Sequence, residues 1–69
     1  MTYNDITDNP RIDNVEVTKA GTGLNLYYEL DGHPYNVTGE FYIDSHSVLH
    51  HDITDEDGEE IEILVKLDF

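Results

Sequence analysis

Leu24-Asn25-Leu26-Tyr27-Tyr28-Glu29-Leu30-Asp31-Gly32-His33-Pro34-Tyr35-Asn36-Val37 is the stretch that decides the fold. Apolar residues at 24, 26, 28 and 30 alternate with Asn25, Tyr27 and Glu29, the period-two pattern of a strand with one face covered. Asp31-Gly32 is a two-residue hairpin turn of type I′, because glycine and, to a lesser degree, aspartate tolerate positive φ. Such a turn sets the register. Pairing Leu30 with His33 puts Tyr28 opposite Tyr35 and Leu26 opposite Val37, so that apolar side chains meet on one face.

The same alternation extends in both directions. Val15 and Val17 flank Glu16 in a preceding strand, while beyond Val37 the pattern runs through Gly39, Phe41 and Ile43, with Thr38, Glu40 and Tyr42 on the other face. Gly39 falls opposite Leu24, where a strand-interior glycine marks a bulge or bend that lets the sheet coil. The last strand is the clearest: Ile61, Ile63, Val65, Leu67 and Phe69 form one apolar face. Between these, residues 47–54 read as a strand with Leu49 and Ile53 inward, flanked by turns at Asp44-Ser45-His46-Ser47 and Asp55-Glu56-Asp57-Gly58. The alternative near 44–52 is one short helix capped by Asp44 or Ser45. Residues 1–11 are polar, close on Asn9-Pro10 and read as a flexible N-terminal arm, with 12–69 as a single β domain. The expected fold class is therefore mainly β. It is a small antiparallel five-strand meander that curls barrel-like on itself or covers its apolar face with a second copy.

A chain of 69 residues holds one domain with a thin core, and a single core of that size supplies roughly 3–5 kcal/mol. With no cysteine, a disulfide cannot supplement it, and self-association or partner binding becomes the natural supplement. Sixteen Asp and Glu stand against Arg11, Lys19 and Lys66, a formal net charge of −13. Such a surface repels nucleic acid and anionic membranes, and steers association with cationic proteins. The expected partner is a basic protein, with no direct nucleic acid and no membrane. No apolar run approaches the ~20 residues of a membrane span, and Met1-Thr2-Tyr3-Asn4-Asp5 lacks the basic and apolar regions of a signal peptide. A cytoplasmic location is expected.

His46, His50 and His51, with Asp44 and Asp52 nearby, are the candidate transition-metal ligands. Structural zinc sites use four ligands in a recognisable spacing, often with cysteine, so solvated turn histidines, with His51 at a sheet edge, are the favoured reading and no cofactor is expected. The acidic run at Asp55, Asp57, Glu59 and Glu60 invites a calcium reading that its spacing refuses. With Gly58 at the sixth position of an EF-hand loop, Ile53 and Leu64 fall where carboxylates are required. It reads instead as an acidic hairpin tip. Without cysteine, a G-x-S-x-G turn or a phosphate-binding glycine loop, the chain is not expected to be an enzyme.

Strand alternation assigns Glu16, Tyr27, Glu29, Glu40, Tyr42, Glu60, Glu62 and Asp68 to the face opposite the core. Carboxylates two residues apart on a strand are roughly 6.8 Å apart. On a stiff sheet they can imitate a run of phosphates and occupy a basic nucleic-acid channel, with the tyrosines as anchors. In small size, high acidity and lack of catalytic motifs the chain resembles phage-encoded DNA-mimic inhibitors of host defence, such as anti-CRISPR and anti-restriction proteins. The likeness is one of size and charge, not of a residue motif. It implies an inhibitor that blocks a nucleic-acid-binding protein or nuclease complex in the host cytoplasm. The other expectation is an assembly module, a homodimer or small subunit joined through the apolar sheet face.

Overall fold

Asp31 and Gly32 both adopt positive φ, 52° and 83°. The hairpin they close pairs Leu30 with His33, Tyr28 with Tyr35 and Leu26 with Val37, the register that the alternation demands. The computed structural model describes residues 2–68, which form seven strands and no helix. The strands are β1 (Thr2–Asp5), β2 (Ile12–Ala20), β3 (Gly23–Leu30), β4 (His33–Val37), β5 (Tyr42–Ile43), β6 (Val48–Thr54) and β7 (Glu60–Asp68). All pairings are antiparallel. They build a three-stranded sheet, β2-β3-β4, and a four-stranded sheet, β1-β7-β6-β5.

The apolar faces of the two sheets close on each other. Val17, Leu26 and Tyr28 from one meet Leu49, Ile61, Ile63, Val65 and Leu67 from the other in one buried cluster. The molecule is 18 Å deep along its thinnest axis, as two sheets about 10 Å apart with outer side chains require. Ile61, Ile63, Val65 and Leu67 lie inward as their alternation requires, because β7 is paired on both sides and is central to its sheet. Phe69 lies outside the described residues.

The fold class is mainly β and antiparallel, as expected; in place of a five-strand meander the described residues form seven strands in two stacked sheets, and no barrel closes. The physical reason lies at residues 38–41. β4 stops at Val37, the chain crosses from one sheet to the other, and β5 begins at Tyr42. Phe41 still packs against the core and Ile43 pairs with Leu49, so the inward and outward phase survives the crossing and sequence periodicity cannot reveal it. Gly39 sits in this crossover, and Leu24 pairs with Lys19 of β2.

The segment expected as an arm places Thr2–Asp5 as an edge strand against Asp68–Val65 of β7. Thr7 then locks the exit, its hydroxyl accepting from the Leu64 amide at 2.9 Å and donating to the Leu64 carbonyl at 3.1 Å. In β2, Ile12, Val15 and Val17 are all buried, a spacing of three then two that a regular strand cannot produce. A bulge between Asp13 and Glu16 supplies the extra residue, with Asn14 at φ 51°. Asparagine is among the few non-glycine residues that enter this region readily.

Candidate protein-binding surfaces

Two hairpin loops of identical construction bracket β6. In the first, the Asp44 amide donates to the Val48 carbonyl and the Ser47 amide to the Asp44 carbonyl, at 3.0 and 3.1 Å. In the second, Asp55 pairs with Glu59 and Gly58 with Asp55 at the same two distances. Each aspartate also accepts two loop amides on one oxygen. Asp44 Oδ1 takes those of His46 and Val48 at 2.8 and 3.0 Å, and Asp55 Oδ1 those of Asp57 and Glu59 at 2.9 and 2.8 Å. Asp44 therefore caps amides as the helical alternative supposed, but the capped segment is a turn that folds β5 onto β6.

The second oxygen of each aspartate is left for a cation. Arg11 takes that of Asp55 at 2.8 Å, embraces Asp31 through Nε and Nη2 at 3.1 and 2.7 Å, and reaches Glu59 at 3.3 Å. These hydrogen bonds hold Asp31 and Asp55 below the usual carboxylate range and raise the guanidinium. One side chain thereby ties the β3–β4 turn of one sheet to the β6–β7 turn of the other. The Asp55 carboxylate, expected as part of an acidic tip, is spent on this tie.

Asp44 Oδ2 takes His50 Nε2 at 2.8 Å. The bond with His50 and the two loop amides pull Asp44 down to about 2. His50 is raised, first by the Asp44 bond, against the opposing effect of its burial, with Glu62 adding to the rise. Its ring stacks on Tyr42, centroids 4.6 Å apart and planes within 2°. Glu62 Oε2 stands 3.6 Å from Nδ1, beyond hydrogen-bond reach, so that buried nitrogen has no partner.

The three candidate ligand histidines do not converge. His46 is exposed in the loop, where its carbonyl accepts from the Lys66 ammonium. His50 points outward and His51 inward. His51 is 4 % exposed on the core side, not at a solvated edge, and its Nδ1 meets the Glu40 carbonyl at 2.7 Å. Among the described residues no three His, Asp or Glu side chains form a metal-holding group.

Seven of the eight residues expected outward divide between two sheets whose outer faces point in opposite directions. Glu16 pairs with Tyr27 on the three-stranded sheet, and the Tyr27 hydroxyl donates to Glu29 at 2.8 Å. That bond is the largest cause of the tyrosine's raised pKa, followed by burial and the neighbouring charges of Glu29 and Glu16. Tyr42, Glu60, Glu62 and Asp68 stand on the four-stranded sheet, Tyr42 being 58 % exposed. There Asp52 faces Glu62 across the strands, and Asp68 accepts from Thr2 at 3.4 Å. Glu40 belongs to neither face but to the crossover between the sheets.

Sequence reasoning missed the Arg11 tie and the Asp44–His50 pair. The signal for both was present as Asp-x-x-Ser at 44–47 and Asp-x-x-Gly at 55–58, two loops built alike. The described residues include no helix long and apolar enough to cross a membrane. Comparison of the chain with protein-family models, with curated proteins and with solved structures finds no match.

Proposed function

We propose that this chain is an acidic binding protein that blocks a basic, nucleic-acid-binding partner by competing with nucleic acid, as DNA-mimic inhibitors of host defence do. The observation that carries the reading is how its few cations are used. Arg11 is consumed by Asp31, Asp55 and Glu59, and Lys66 rests on the His46 carbonyl. Among the described residues the carboxylates of both outer faces have no lysine or arginine ion-pair partner. Two packed sheets hold them in fixed rows, and fixed rows of negative charge are what a phosphate-binding surface recognises. The apolar faces that a homodimer would join are packed against one another within the chain.

The immobilised protein is loaded with host lysate at low salt and eluted with a salt gradient, and the eluate is identified by mass spectrometry. Selective recovery of one nuclease or DNA-binding complex is expected, together with loss of that complex's DNA binding in a mobility-shift assay. Glu16, Glu29, Glu60 and Glu62 changed together to lysine should abolish that competition. Recovery of generic basic proteins alone, or competition indifferent to the charge reversal, would refute the reading.

A further inference from the structure

β5 covers only part of β6. It pairs Tyr42 with His50 and Ile43 with Leu49 and stops there. The Asp55–Glu59 hydrogen bond fixes the parity of the ladder, so the main chains of His51 and Ile53 point to β7 and those of Asp52 and Thr54 point away. Beyond His50 nothing among the described residues pairs with that outward edge. Across the gap lies β4, the edge of the other sheet. Its turn directs the main chains of His33, Tyr35 and Val37 to β3, which leaves Asn36 free and puts Pro34, with no amide to offer, on the open side. Proline at such a position blunts an edge, and β6 has no such guard.

Between these two edges runs a cleft of about 430 Å³, floored by Tyr28, Tyr35 and His51 and closed at one end by Glu40. It adjoins a second hollow of about 390 Å³ that shares Leu30, Tyr35 and Thr54 and ends at Glu56 and Asp57. Tyr35 is 44 % exposed and lies on the buried Tyr28 ring at 5.3 Å. His51 Nδ1 is committed to the Glu40 carbonyl. Arg11 is the one cation in either lining, and its charge is spent on carboxylates.

An open edge, an exposed aromatic face and acids at both ends call for an extended and cationic occupant. A second copy is disfavoured, since each copy carries a net charge of −13. We propose that this cleft seats an extended lysine- or arginine-bearing segment of a partner protein. Its main chain pairs with Asp52 and Thr54 of β6 in line with β5, one cationic side chain lies on Tyr35 and others meet Glu40, Glu56 and Asp57. Strand addition supplies affinity through the main chain, and the alternating side chains supply selectivity. The inference rests on the reading of the chain as a binder of basic protein, and adds the surface used and the conformation captured.

The test uses a fluorescent peptide of alternating lysine and valine, with anisotropy for affinity and amide chemical shifts for location. Shifts should concentrate at Asn36, Val37 and His51–Thr54. Tyr35→Thr, which removes the cation–π face, should weaken binding about fivefold. Thr54→Pro, which removes an outward amide while sparing the β7 ladder, should weaken it by a similar factor, and Thr18→Val on β2, outside the cleft lining, should not change it. Failure of the peptide to bind, shifts spread over the outer faces, or indifference to both variants would overturn the cleft. Peptide held in the cleft by a protein that displaces no nucleic acid from any basic partner would instead remove the inhibitor reading and leave the cleft standing.

Discussion

Asp52 and Glu62 stand directly opposite each other on β6 and β7, in a non-hydrogen-bonded pair, where cross-strand side chains come closest. Asp13 and Glu29 also stand opposite each other on the other sheet, there in a hydrogen-bonded pair. Like charges so placed oppose the pairing that carries them. Asp52→Lys turns repulsion into attraction and should stabilise the fold by about 0.5 kcal/mol, read as a higher urea midpoint with unchanged slope. A lower midpoint would show that the pair is not repulsive in its setting.

Ser47 and Gly58 occupy the same position in their loops, at φ 61° and 82°. Serine pays for a conformation that glycine adopts freely, so Ser47→Gly should stabilise by roughly 0.5–1 kcal/mol. Gly58→Ser should cost a similar amount. A β-carbon at Gly58 would meet nothing within 4 Å, which makes the cost one of backbone conformation alone. Thermal melts of the two single variants should move in opposite directions.

Arg11→Lys keeps the charge but loses the fork that engages Asp31 while reaching Asp55. Its melting temperature should fall below that of the parent, and Arg11→Gln should fall further, since it leaves the carboxylates of Asp31 and Asp55 without a cation. Hydrogen exchange should quicken at both turns together. Quickening at one turn alone would show that the two sheets are not coupled through this side chain.

The Asp44–His50 pair predicts a stability window in pH. Asp44, lowered from 3.8 to about 2, contributes stability that is complete above its unfolded value and lost as pH falls through about 2. His50, raised above 6.5, contributes stability that is complete below 6.5 and lost as pH rises through its folded value. Both contributions are therefore present between pH 3.8 and 6.5. Asp44→Asn keeps the oxygen that caps the loop and removes the charge. Its stability deficit should be largest inside that window, and its His50 resonance should titrate at lower pH than the parent's.

Register, turn type and inward residues were legible in the alternation of Leu24–Val37 and Ile61–Leu67, because a covered strand face must be apolar at every second position. The sheet change after Val37 was not legible, because a strand that crosses to the facing sheet keeps its inward side inward. β1 was hidden because Thr2–Asp5 is an exposed edge, held by main-chain bonds that leave no mark on side-chain pattern. Outward positions on Glu16, Tyr27, Glu29, Tyr42, Glu60, Glu62 and Asp68 were read from parity, but parity does not say which of two opposite faces a strand joins. Arg11 joins residues 20 and 44 positions distant, and no local signal reaches that far.

The pairing of Thr2 with Asp68 sets an order of assembly. Every other strand pairs with a neighbour in the chain, so β2-β3-β4 and β5-β6-β7 can each form as soon as their residues are made. β1 is synthesised first and must wait for the last residues of β7 to clear the ribosome. Until then β1 has no partner, and the nascent chain carries an unpaired strand at a time when its repulsive charge is the main safeguard against joining another.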